Sequence, residues 1–173
     1  MPKLSHYDAH GKARMVDVSP KSVTHRTATA HAFVYMPPQV FTAVRKLKNP
    51  KGDPLEIARF AGISAAKRTS EWIPLCHPLP LTHIDVLPTL CKNGVEIRTH
   101  VSASAQTGVE MEALVAAAAA ALTVYDMCKA LDKGIEICEL FLVEKTGGKS
   151  GDYHRAGTLE LRKGARFTKA RVK

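Results

Sequence analysis

From Thr27 to Met36 the chain alternates. Ala28, Ala30, Ala32, Val34 and Met36 fall on one side, with Thr27, Thr29, His31, Phe33 and Tyr35 on the other. A period of two predicts a strand. Pro37 and Pro38 end it and suit the first turn of a helix, in which Val40, Val44 and Leu47 recur at helical spacing up to Asn49-Pro50. Asp53 then reads as an N-cap and Pro54 as a first helical residue. The helix they open turns Ile57, Ala58 and Ala61 inward and is expected to stop at Gly62, before a second short helical piece at Ser64–Ser70. Three prolines in Ile73-Pro74-Leu75-Cys76-His77-Pro78-Leu79-Pro80-Leu81 exclude regular helix and predict a shaped loop. Ile84–Leu87 and the cleanly alternating Val95–Val101 flank Asn93-Gly94, the signature of a hairpin.

The longest helical signal runs from Gly108 to about Asp132, is rich in alanine, and is closed by Lys133-Gly134 with Gly134 as the expected C′ residue. Ile137 to Val143 then alternate as a buried strand. The order strand, helices, strand, strand, helix, strand predicts an α+β protein, a ferredoxin-like sandwich with helices packed on one face of an antiparallel sheet.

At 173 residues, 45% hydrophobic and 24% charged, the chain fits a single globular domain that needs no metal or disulfide staple. Its net charge of +9 raises the local concentration of anions without choosing among them. Six of those nine charges belong to residues 154–173, where seven Lys or Arg face Glu160 alone; this segment is expected to be a disordered basic tail to a domain spanning residues 1–153. Residues 1–24, polar and without period, are expected to form a partly extended arm. Cys76, Cys91, Cys128 and Cys138 contain no C-x-x-C pair, which argues against structural zinc and for free thiols in a reducing cytoplasm. The N-terminus lacks the apolar core of a signal peptide, and Ala113–Leu122 is too short to span a bilayer.

Four segments hold polar residues that packing alone does not require. In the proline-rich loop, preceded by Lys67 and Arg68, the backbone holds Cys76 and His77 at low entropic cost, as a binding loop requires; a connector in which His77 satisfies a carbonyl fits equally. Glu110 and Glu112 flank Met111 at a helix start, where the helix dipole by itself favours acids. Asp126, Lys129 and Lys133 share a helix face; they form an exposed ion pair or, given the apolar setting of Asp126, a reactive one. Glu144 to Asp152 includes Gly147-Gly148-Lys149-Ser150. A P-loop would need glycine where Val143 stands and a helix afterwards, but a glycine-rich turn with Lys145 and Lys149 can still grip phosphate. Fourteen residues of straight helix hold Glu112 and Asp126 roughly 21 Å apart, so they serve different subsites or a site assembled between subunits.

The strings AAKRTSEWIPLCHPLPL, TGVEMEAL, ALTVYDMCKALDKG and EKTGGKSGDY, with MVDVSPK and KGDP nearer the N-terminus, resemble the cyclic pyranopterin monophosphate synthase (MoaC) family of molybdenum cofactor biosynthesis over roughly Ser5 to Tyr153. The resemblance implies a ferredoxin-like subunit assembled as dimers and then as a hexamer, a trimer of dimers with active sites at subunit interfaces. It implies a lyase that converts 3′,8-cyclo-7,8-dihydroguanosine 5′-triphosphate into cyclic pyranopterin monophosphate and diphosphate. Asp126, Lys129 and Lys51 match the catalytic positions; Leu75, Cys76, His77, Glu110, Met111, Glu112 and Lys145 match substrate-contacting segments, with Lys67, Arg68 and Lys149 as further phosphate ligands. Neither a resident cofactor nor a membrane or nucleic-acid partner is implied, and a divalent ion accompanying the triphosphate is left open. Trp72 departs from the family, which usually has an aliphatic residue there.

The rival reading is an RNA-binding module, because ferredoxin-like sheets with positive charge often bind RNA by stacking bases on sheet aromatics. The two strands where such residues belong offer only His100 and Phe141.

Overall fold

The computed structural model describes residues 6–8, 10–46 and 52–156. The elements run β1 (Thr24–Tyr35), α1 (Pro38–Arg45), α2 (Pro54–Ala66), α3 (Thr69–Trp72), β2 (Leu81–Cys91), β3 (Gly94–Ala105), α4 (Glu110–Cys128), β4 (Glu136–Thr146) and β5 (Tyr153–His154). The sheet has the order β2-β3-β1-β4-β5 with every neighbouring pair antiparallel. Its first four strands follow the ferredoxin-like order, as expected.

The alternation along β1 works as the sequence implies. Ala28, Ala30, Ala32 and Val34 are buried with Val95, Ile97 and Val101 of β3 and with the alanine-rich side of α4. Small residues on both surfaces let the helix lie close to the sheet. Asp53 caps α2 by accepting from the Leu55 N–H at 2.9 Å. Pro88 sits within β2, where it is tolerated because β2 is an edge strand.

Several boundaries differ from expectation. α2 does not stop at Gly62 but runs through it to Ala66, and the break comes at Lys67-Arg68. Gly62 is buried, and a Cβ there would lie 2.9 Å from the Ala116 carbonyl oxygen and 3.0 Å from Val86 Cγ1. The glycine marks a close helix crossing rather than a helix end. α4 ends at Cys128, not near Asp132. The Leu131 N–H donates to the Cys128 carbonyl, which tightens the exit, and Gly134 belongs to the following turn, its N–H held by Asp132 Oδ1.

β4 was expected to be buried, yet only Val143 is. Two register shifts against β1 interrupt its alternation, and Glu139 takes a left-handed φ of 58° at one of them. Ile137 and Leu140 are left exposed. β5 extends the sheet to His154, past the boundary drawn at Tyr153; the Arg155 N–H donates to the Val143 carbonyl and its guanidinium lies 4.3 Å from the Phe141 ring centre. The remainder of the basic tail, residues 157–173, lies outside the described residues, as does Lys51.

α4 is 19 residues long and apolar enough, by length and composition, to cross a membrane, so it exceeds the run expected from the alanines alone. Here it is the core helix, packed on the sheet and on α2.

On the sheet face away from the helices, His31 is only 2% exposed. Its ring stacks on Phe141 at 4.9 Å between centroids, with Glu96 Oε1 3.5 Å from Nδ1 and Glu139 Oε2 3.7 Å from Nε2. Phe141 is therefore covered by His31 and Arg155, which leaves its faces unsuited to stacking a base.

Candidate active site

The candidate side chains fall in three groups, two at one end of the sheet and one at the other. The strand ends Thr24 of β1, Ala105 of β3 and Thr146 of β4 lie together, and the first turn of α4 follows directly from β3. At this end Glu112 is only 3% exposed. Burial pushes its carboxyl up to about 7; its own backbone N–H pulls the other way, and the neighbouring Glu110 adds to the rise. An acid placed merely to suit the helix dipole would be shifted downward, so dipole capping does not explain Glu112. Cys76 lies near it, and burial first and the Glu112 charge second push the thiol up.

The loop that delivers Cys76 and His77 is pinned at its base. Thr69 Oγ1 donates to the Ala66 carbonyl at 3.0 Å, the Ile73 N–H to Thr69 O at 2.9 Å, and the Cys76 N–H to Ile73 O at 3.0 Å. Leu75, Cys76 and His77 are half-buried. Asp17, in the arm, lies within electrostatic reach of His77; its carboxyl is held below the usual range chiefly by the Ser19 N–H, with Arg14 and His77 as smaller contributors. The arm is tied in place by Gln106 Nε2, which donates to the Ser19 carbonyl at 3.4 Å. The half-buried Met111 lies between the two acids.

The glycine-rich turn between β4 and β5 lies at the same end. Lys145 Nζ donates to Ser150 Oγ and to the Gly151 carbonyl, both at 2.6 Å, and Asp152 Oδ1 accepts from the Gly147 N–H at 3.0 Å. Lys145, expected to help this turn grip phosphate, thus bonds within the turn itself, while Lys149 is exposed on it. Gly147 and Gly148 both have φ 86°, a conformation that favours glycine, and side chains there would strike the His25 carbonyl and the Arg26 guanidinium.

Arg26 is a residue the sequence reading missed. It is buried, with Nε 3.4 Å from the Ala105 carbonyl and Nη2 3.5 Å from that of Gln106. The signal was present, because Arg26 shares the parity of Ala28 and Ala30 and so puts a charge in the apolar register of β1. Asp17 was missed too, its motif having served only as a mark of resemblance.

The opposite end carries Asp126 and Lys129, paired at 2.5 Å between Oδ1 and Nζ, with side chains 58% and 48% exposed. The pair raises the lysine further. Lys133, expected on the same helix face, lies beyond the end of α4. Asp126 also lines a cleft of about 500 Å³ between α2 and α4, together with Arg68 and Trp72. Lys67, at the C-cap of α2, is exposed.

The fold thus brings Cys76 near Glu112 and sets Arg68 and Asp126 in the lining of one cleft, but does not join Asp126 with Glu112. Both lie on α4, fourteen positions apart, roughly 21 Å along its axis at the standard rise. Among the described residues, no three His, Cys, Asp or Glu side chains are arranged to hold a metal ion.

Comparison with known proteins agrees across most of the chain. The model of the MoaC family matches residues 15–148. A cyclic pyranopterin monophosphate synthase of Heliobacterium modesticaldum is 55% identical over 157 residues, covering 90% of this chain and 99% of that one. The enzymes of that name from Chloroflexus aurantiacus and Bacillus pumilus are 53% and 48% identical over 88% and 92% of this chain, and over 95% and 100% of their own.

Proposed function

Because the chain belongs to the MoaC family, we propose that it performs the reaction for which its relatives are named, cyclic pyranopterin monophosphate synthesis in molybdenum cofactor biosynthesis. It acts as a lyase on 3′,8-cyclo-7,8-dihydroguanosine 5′-triphosphate, forming cyclic pyranopterin monophosphate and releasing diphosphate. The observation that carries this reading to the residues is the Asp126–Lys129 pair at a cleft that also holds Arg68.

The substrate brings a triphosphate. Lys67, Arg68, Lys145 and Lys149 are its ligands in this reading, and cations around the scissile phosphate stabilise the departing diphosphate. Lys145 uses two of its three N–H donors to close the glycine-rich turn, so it meets phosphate with the turn already shaped. Opening the purine's imidazole ring and closing the new ring require several proton transfers. Asp126 and Lys129, with Lys51, are the catalytic groups, and His77 lies in the loop that contacts the substrate. Glu112, titrating at about 7, can hold or release a proton near neutrality. Leu75, Cys76, Glu110 and Met111 complete the binding surface.

The working site lies between subunits, in dimers that assemble into a hexamer. The roughly 21 Å between Glu112 and Asp126 supports this, because one small nucleotide cannot touch both within one chain. No resident cofactor enters this reading, and a divalent ion carried by the triphosphate is compatible with it. Thiols at Cys76, Cys91 and Cys138 suit the reducing cytoplasm in which we place the enzyme.

The test is incubation of the purified chain with the cyclised nucleotide. Diphosphate and the pterin product should appear in equal amounts; intact substrate after prolonged incubation would overturn the reading.

A further inference from the structure

Trp72 is the only tryptophan of the chain, and its side chain is 52% exposed. An indole left half in water forgoes much of the burial for which so large a ring is normally used. It stands in the wall of the cleft between α2 and α4, whose sides include Ile57, Ala61 and Leu122 and whose charged members are Arg68 and Asp126. At about 500 Å³ the cleft is within the range of small-molecule sites, and it combines an apolar lining with a few polar groups, as such sites do.

The segment carrying Trp72 is firmly held. α3 is one short turn, anchored by the buried Thr69 and continued by the Ile73 and Cys76 backbone bonds into the Cys76-His77 loop. A ring mounted there loses little further freedom when it meets a ligand.

We propose that Trp72 is a substrate-stacking residue, its indole taking the planar pyrimidine-fused ring of the cyclised nucleotide within this cleft. Arg68 meets the phosphates, and Asp126 stands at the same ligand. The inference rests on the activity proposed above and adds a specificity contact to it. An aromatic platform selects a flat heterocycle, whereas Arg68 by itself would accept any polyphosphate.

The lone tryptophan makes the test direct, because wild-type emission reports this ring alone. Titration with the cyclised nucleotide should quench emission saturably, while inorganic tripolyphosphate at the same concentrations should not. Trp72→Ala should raise KM about tenfold, within the range of an aromatic–base stack, with kcat little changed, and Trp72→Phe should recover most of the loss.

Normal diphosphate release by the wild type without quenching, or with equal quenching by tripolyphosphate, would overturn the proposal and leave the activity standing. So would an emission shift that follows protein concentration and ignores the nucleotide, since the cleft would then be covered by a second copy. A wild type that binds and quenches with the nucleotide but never turns it over would instead remove the activity.

Discussion

Gly62 of α2 meets the carbonyl of Ala116 of α4 so closely that a methyl group at Gly62 would lie 2.9 Å from that oxygen. The partner is helix backbone, which cannot swing aside. Gly62→Ala should therefore destabilise the fold by about 1–3 kcal/mol despite its better helix propensity. Urea denaturation would show it as a lower midpoint at unchanged slope, and a stabilised variant would refute the close-crossing account.

Glu112 predicts a pH dependence. Its carboxyl titrates at about 7 in the fold and near its ordinary value of 4.5 when unfolded, so the folded state binds more protons between those values. Stability attributable to this group is complete below pH 4.5 and falls as pH rises through 7, by roughly 3 kcal/mol at 1.36 kcal/mol per unit. Glu112→Gln should abolish that decline, so denaturation at pH 5 and pH 8 should separate the variant from wild type on the alkaline side only.

His31 has the opposite sign. Burial holds its imidazole below the ordinary 6.5, with Arg98 acting in the same direction and Glu96 and Glu139 partly compensating. The unfolded chain therefore takes up the proton first, and stability falls as pH drops below 6.5. His31→Gln should show a shallower loss between pH 6.5 and pH 5; an unchanged acid limb would mean that the ring is charged within the fold.

The proposed catalytic groups make a sharper prediction. Asp126→Asn should retain the native circular dichroism and release no diphosphate, because its side chain and that of Lys129 are both exposed. Lys51→Ala should do the same, and near-normal turnover by either purified variant would remove that residue from the catalytic set.

Sharing of the site between subunits can be tested by mixing. Glu112→Ala and Asp126→Asn, each inactive alone, should together regain part of the activity once subunits exchange. Verified mixed oligomers without activity would place both residues in one chain's site.

Much of this was legible in the sequence, for identifiable reasons. β1 and β3 announce themselves because their two faces differ in size and polarity at every step. The end of α2 was misread because a glycine inside a helical pattern means either a stop or a close crossing, and only the position of Ala116 distinguishes them. The burial of β4 was misread because its two register shifts change which residues face the core, and nothing in the alternation of Ile137 to Val143 marks them. For the proposed site, motif resemblance singled out Asp126, Lys129 and the Cys76-His77 loop. It gave no hint that Lys145 is engaged within its own turn, nor that Arg26 occupies the space left by Gly148. Those facts depend on chain segments that are distant in sequence, and no local pattern records them.

Pro88 lies midway along the outermost strand of the sheet. A proline there deprives the free edge of a backbone donor, so a passing strand from another molecule cannot zip continuously along β2. That edge is therefore protected from amyloid-like growth, and replacing Pro88 with threonine should make the chain more prone to aggregate without altering any group proposed for catalysis.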